Sequence, residues 1–198
     1  MNYVGLDLAG SGRRPTGACI INQRLRVHCY ILYSDGEIVR LVKRSGSKVV
    51  AIDAPLALPI SRHCLGEHCR GREHFRACDL ALRRMGIKFF PITLGPMRAL
   101  TTRGMRIRKR LERFHIEVIE TYPGAVQDLL GIERKQCGLE KLQRSLKKLG
   151  CTGDIIAREL TGDELDAISC ALVAKEYSQG SYLAIGNPSE ILMILPNK

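Results

Sequence analysis

Nothing in this sequence is both long and apolar. Its hydrophobic runs stop far short of the roughly 20 residues that span a bilayer, and its start enters a strand pattern directly, without a charged segment followed by an apolar one. Those absences argue against a membrane protein and for a cytoplasmic one. No Ser/Pro-rich linker and no internal repeat interrupts the 198 residues. That length suffices for a sizeable core, so residues 1–198 are read as one domain. The tight Cys-x2-Cys pairs of a zinc ribbon or finger are missing too. Tryptophan is absent, asparagine is scarce, and acids are outnumbered, with 20 Asp and Glu against 31 Lys and Arg and a net charge of +11.

That excess of base is the first positive clue. Lysines and arginines that neutralise phosphates release counterions, which makes nucleic acid the first candidate partner. The competing reading is a Lys/Arg-rich surface of the kind found in heat-stable proteins, with which the missing Trp and scarce Asn are compatible. Eight cysteines without a secretory signal read as free thiols or metal ligands rather than a disulfide framework. Cys19, Cys29 and Cys170 lie within apolar segments, as small core residues do.

Tyr3 to Gly12, YVGLDLAGSG, is a short apolar strand, an aspartate and a glycine-bearing turn. Thr16 to Asn22 and Leu25 to Tyr33 are two more β-rich runs, and three strands joined this tightly form an antiparallel meander. Asp35 opens a helical pattern that stops at Ser45-Gly46. Val49 to Ile52 is a continuous apolar run ending at Asp53-Ala54-Pro55, as a strand buried on both faces would. Leu56 to Arg72 lacks periodicity and reads as a loop. Helical spacing follows at Phe75 to Met85 and Met97 to Phe114. Ile116 to Glu120 is a strand, and Ala125 to Leu130 and Leu139 to Leu149 are helices. Thr161-x-x-Glu164 is a capping box that starts a helix reaching about Ser178, and Ile191 to Leu195 is a last short strand. This order predicts an α/β protein with a ribonuclease H-like mixed five-stranded sheet, an antiparallel meander plus parallel strands, flanked by helices.

In such a sheet strands one, four and five lie parallel, and Asp7, Asp53 and Glu120 reach one edge, where open sheets bind ligands. The late helix adds Asp163 and Asp166, neighbours on its first turns. So many converging carboxylates cannot all stay ionised without counter-charge. Magnesium or manganese supplies it, because both prefer oxygen ligands and keep waters that a phosphate can displace. Two ions roughly 4 Å apart activate water and stabilise the leaving oxygen of a phosphodiester. Read singly, Asp163 is a first-turn acid favoured by the helix dipole and Asp53 a turn former.

The segments GLDLAGSG, VVAIDAPL, RACDLALRRMGI followed by FFPITLGPMRALTTRG, VIETYPGA and DELDAISCALVA, in this order and over nearly the whole chain, resemble an uncharacterised family described as predicted nucleases with an RNase H fold. The resemblance implies a metal-dependent nuclease whose acidic set is Asp7, Asp53, Glu120 and Asp166.

Two basic or metal-ligating features flank the acids. An insert at about residues 56–80 carries His63, Cys64, His68, Cys69, His74 and Cys78, whose spacing suits a zinc clip, a disulfide or ordinary loop residues. The helix after it carries Arg98, Arg103, Arg106, Lys109 and Arg110, with Arg83 nearby. It reads either as a phosphate-contacting surface or as a solvated face. The expectation is therefore a nuclease acting on DNA or RNA through magnesium or manganese. The same turn also fits an actin-like ATP-binding protein, and the same charge a non-catalytic nucleic-acid-binding protein.

Overall fold

The computed structural model describes residues 1–197 except 67, 70 and 72. Strands β1 (Asn2–Asp7), β2 (Thr16–Asn22) and β3 (Arg26–Leu32) form the antiparallel meander, and β4 (Val49–Asp53) and β5 (Glu117–Thr121) run parallel to β1. The expectation of five strands is corrected: the mixed sheet has eight, in the order β6-β3-β2-β1-β4-β5-β8-β7. A two-residue strand β6 (Thr152–Gly153) pairs with β3, and a C-terminal hairpin of β7 (Tyr182–Ile185) and β8 (Met193–Pro196) extends the other side. These additions escape periodicity because β6 is too short to show one and β7 is largely exposed.

Among the described residues seven α-helices flank the sheet: α1 (Asp35–Ser45), α2 (Ala77–Arg84), α3 (Gly95–Glu112), α4 (Pro123–Leu129), α5 (Leu139–Lys148), α6 (Asp154–Ala157) and α7 (Gly162–Ser178). None among the described residues is long and apolar enough to cross a membrane. On one face, Val4, Leu6, Val50 and Ile52 pack against Ile38 and Val42 of α1 and Ile107 and Leu111 of α3. On the other, Tyr3, Cys19, Ala51 and Ile119 pack against Leu165, Ile168 and Ala171 of α7, with α2, α4 and α5 closing the layer. Burying each such Leu or Ile contributes roughly 1.5–3 kcal/mol.

Glycine decides how closely α7 approaches. A β-carbon on Gly5 would collide with the backbone of Ala167 and Ala171, and one on Gly17 with the carbonyl of Asp163. The helix therefore rests on bare strand backbone. Its start is fixed by the capping box of Thr161 and Glu164, and Arg158 pairs with Glu164 at 2.6 Å. These contacts bring Asp163 and Asp166 down to the strand ends.

Candidate active site

The parallel register sets Asp7 beside Asp53 and Asp53 beside Thr121. Side chains alternate between faces along a strand, so Asp7 and Asp53 project toward α7. Glu120 pairs with Ile52, one residue earlier, and projects to the opposite face. The five predicted acids are therefore divided: Asp7 and Asp53 meet Asp166, with Asp163 beside them, while Glu120 belongs to a second cluster.

In the first cluster charge is unmatched. Lys135, at the start of a short 3-10 turn (Lys135–Cys137), places Nζ 2.5 Å from Asp166 Oδ2 and 3.8 Å from Asp7 Oδ2. Gln127 of α4 donates from Nε2 to Asp166 Oδ1 at 2.7 Å. Asp7 Oδ2 is buried and accepts no hydrogen bond. Burial first, then the Asp166 carboxylate, push the Asp7 pKa up to about 7 against the pull of Lys135. Asp53 is pushed well above the usual carboxylate range by burial and by Asp7 and Asp166. The same carboxylates hold Lys135 firmly protonated despite its partial burial.

In the second cluster the accounts balance. Arg76 is fully buried and donates to both Glu120 oxygens at 2.6 Å each and to Asp79 Oδ1 at 3.0 Å. The Leu56 amide donates to Glu120 Oε2 at 2.8 Å. Burial raises the Glu120 pKa while Arg76 opposes it, and both carboxylate oxygens are occupied.

The basic helix divides similarly. Arg103 is buried: it donates to the carbonyls of Ala9 at 2.7 Å, Ser11 at 2.9 Å and Tyr33 at 2.5 Å, and to Asp35 at 2.9 Å. It is a clamp on the glycine-bearing turn, out of reach of a phosphate. Arg106 donates to the same Asp35 at 2.8 Å, and Arg110 stands 3.9 Å from it. Arg98 donates to the Thr93 carbonyl at 2.6 Å, and Arg83 stacks over Phe75. Lys109, Arg106 and Arg110 line a shallow groove along α3, away from the acids.

The Cys/His insert is not gathered at one point. Cys78 is buried in the core, and His74 Nδ1 lies 2.7 Å from Thr93 Oγ1. Cys64 and Cys69 sit close together, and hydrogen bonds led by the Cys64 backbone lower the Cys69 thiol to about 7. His63 and His68 lie on the exposed part of the same loop. All eight cysteines are free thiols. Among the described residues no three His, Cys, Asp or Glu side chains stand in ready-made metal-ligating geometry, in the insert or at the acids.

Two adjoining hollows open over the unmatched acids. One, of about 250 Å³, is lined by Asp53, Glu120, Asp166 and Lys135, and by Tyr122, Phe89 and Phe90. The other is lined by Asp7, the Ala9–Ser11 turn, Arg14 and Asp163. Lys135, Met97 and Leu100 border both. Lys135 and Gln127 are not marked by any motif, and Arg76 opens the RACDLALRRMGI segment without a role assigned to it there. Only the excess of buried acid signals that such partners must exist.

Among the described residues the donors are the oxygens a hard cation takes, without the ready-made geometry of a site for one. Three carboxylates share one ammonium group, and the buried Oδ2 of Asp7 accepts no hydrogen bond, meeting only Lys135 at 3.8 Å. Glu120 does not suit a cation, since Arg76 and Leu56 satisfy it. A family model described as "Protein of unknown function (DUF429)" matches residues 5–191. No curated protein matches the chain.

Proposed function

The chain belongs to this family of unknown function, and we propose that it is an RNase H-like, divalent-metal-dependent nuclease. Asp7, Asp53 and Asp166 would hold magnesium or manganese, with Asp163 at the rim. A hard divalent ion in that position supplies charge for the phosphoryl oxygens and activates the attacking water. The observation that carries the reading is the buried Oδ2 of Asp7, which accepts no hydrogen bond and meets only the shared Lys135 at 3.8 Å, in a cluster of three carboxylates with one lysine.

The chain's own residues have separate tasks. Asp7 and Asp53, adjacent on β1 and β4, present a rigid carboxylate pair, because the central strands that carry them are buried on both faces. Gln127 orients Asp166. Lys135 neutralises the acids and lies at the boundary of the two hollows, within reach of a phosphate bridging them. Arg76 and Glu120 hold the end of β5 against α2. The central order β3-β2-β1-β4-β5, an antiparallel meander beside parallel strands, supports the RNase H-like assignment, and the net charge of +11 supports a nucleic-acid substrate.

The test begins with manganese titrated calorimetrically into wild type and Asp7→Asn. Saturable binding in wild type and its loss in the variant are expected. Cleavage of DNA and RNA in magnesium and manganese should then be abolished by the same substitution, and undiminished cleavage by Asp7→Asn refutes the reading. The 2.5 Å contact of Lys135 with Asp166 favours one alternative, a non-catalytic nucleic-acid-binding protein in which Lys135 is the permanent counter-ion. That alternative requires salt-sensitive binding with no metal uptake and no cleavage.

A further inference from the structure

The hollow beside Asp53 and Asp166 is not polar throughout. Its lining also includes aromatic and aliphatic side chains: Phe89, Phe90, Tyr122, Met97 and Leu100. Phe89 and Tyr122 are fixed in place. Phe89 packs edge-on against Phe75 with ring centres 5.7 Å apart, and the Tyr122 hydroxyl donates to the Lys88 carbonyl at 3.0 Å. Phe90 differs: it lines the hollow yet is 67% exposed, and among the described residues no ring or cation stacks on it. An exposed aromatic ring in the lining of a cleft is available to the apolar face of a ligand.

The two chemistries of the lining define that ligand. The carboxylates and Lys135 mark the place of a cation-bound phosphate under the nuclease reading, on which this inference rests. The aromatic side chains offer apolar surface, and Arg134 lies 6.0 Å from the centre of the Tyr122 ring. A nucleotide unit has this polarity, an anionic phosphate joined to a flat ring with π faces. Its ring is bare only in an unpaired strand, because a base inside a duplex has both faces covered. The second hollow continues past Lys135 along the glycine-bearing turn, with Arg14 on its wall. It offers a path for the neighbouring phosphate.

We propose that the Phe90 wall is a nucleobase platform and that the substrate is single-stranded nucleic acid, one unpaired base entering beside Phe90 while its backbone crosses the acids. Stacking of this kind accepts any base, since every base has a π face.

The test measures binding of a short labelled single strand, the matching duplex and ATP by the full chain in calcium, with a 2-aminopurine in the strand to report stacking. The single strand should bind at least tenfold more tightly than the duplex and its fluorescence should be quenched. Phe90→Ala should weaken single-strand binding roughly tenfold, abolish the quenching and leave the weak duplex binding as it was. Phe90→Trp should restore both signals. Equal binding of strand and duplex, or an unaffected Phe90→Ala, overturns the proposal. Tighter binding of ATP than of the strand overturns it in favour of a free nucleotide. Failure of the nuclease reading is separable from these outcomes. A chain that binds and quenches the strand but cuts nothing in magnesium or manganese keeps the platform and loses the nuclease. Asp7-dependent cleavage without strand preference does the reverse.

Discussion

Two clusters of buried charge stand at the ends of neighbouring strands, and they differ in how completely they are answered. Around Glu120 each carboxylate oxygen receives hydrogen bonds, and Arg76 presents its fork to two acids. Around Asp7 three carboxylates share one lysine, and one buried oxygen accepts no hydrogen bond. Both are buried, so burial does not distinguish them. The distinction is electrostatic completeness: the first cluster holds the fold together, and the second is kept incomplete at a cost to the fold. A cost retained inside a cleft points to a ligand.

The comparison breaks most visibly at Arg76. Arg76→Met leaves Glu120 and Asp79 buried without their counter-charge, and should lower stability by about 4 kcal/mol. Urea unfolding should show a lower midpoint. A loss below 1 kcal/mol would mean that the Glu120 cluster is not a closed ion pair.

Next is the approach of α7. Gly17→Ala drives a methyl group into the Asp163 carbonyl, which can be relieved only by lifting the start of the helix. The expected loss is about 3 kcal/mol. Manganese binding should weaken with it, because Asp163 and Asp166 move away from Asp7 and Asp53. Retained manganese affinity in a destabilised variant would show that the helix acids are not part of the cation site.

These particulars also mark what the sequence can and cannot tell. The meander and the parallel β1-β4-β5 core are legible because their strands are apolar and bounded by polar turns, and α7 because its capping box is local. Glu120 follows an apolar run as Asp7 does, and the sequence alone groups the two. Whether a strand-end acid faces one layer or the other depends on a register of one residue, and a strand buried on both faces carries no alternation from which to read it. The roles of Arg76, Gln127 and Lys135 are hidden in the sequence because their partners lie far along the chain: 44 residues separate Arg76 from Glu120, and 39 separate Gln127 from Asp166. Arg103 sits in a run of bases, as a surface cation would, and only the packed turn reveals it as buried.

At Asp7 the sign of a neutralising change reverses. Its folded pKa of about 7 lies above the ordinary aspartate value of 3.8, so the folded state binds the extra proton between those values. Stability of the metal-free protein therefore falls as pH rises from about 4 to about 7, then levels. Asp7→Asn should be more stable than wild type at pH 8, by about 2 kcal/mol, and should flatten the pH profile. Asp53, also raised, leaves part of the slope. Thermal unfolding in chelator across this range makes the measurement. A destabilised Asp7→Asn would place Asp7 with the answered charges.

The smallest effect on stability is expected at Gln127, where it is the most informative. Gln127→Ala removes one hydrogen bond to Asp166, whose other oxygen keeps Lys135, and should cost about 1.5 kcal/mol. If the glutamine only filled space and satisfied a buried acid, that loss would be its whole effect. If it holds Asp166 in position for a cation, manganese affinity should fall about tenfold as well, in the range found for groups that orient metal ligands. Adding manganese would then stabilise the variant less than wild type, because binding to the folded state contributes in proportion to affinity. Comparing the two proteins with and without manganese separates the roles: equal gains assign Gln127 to the fold, and a smaller gain in the variant assigns it to the site.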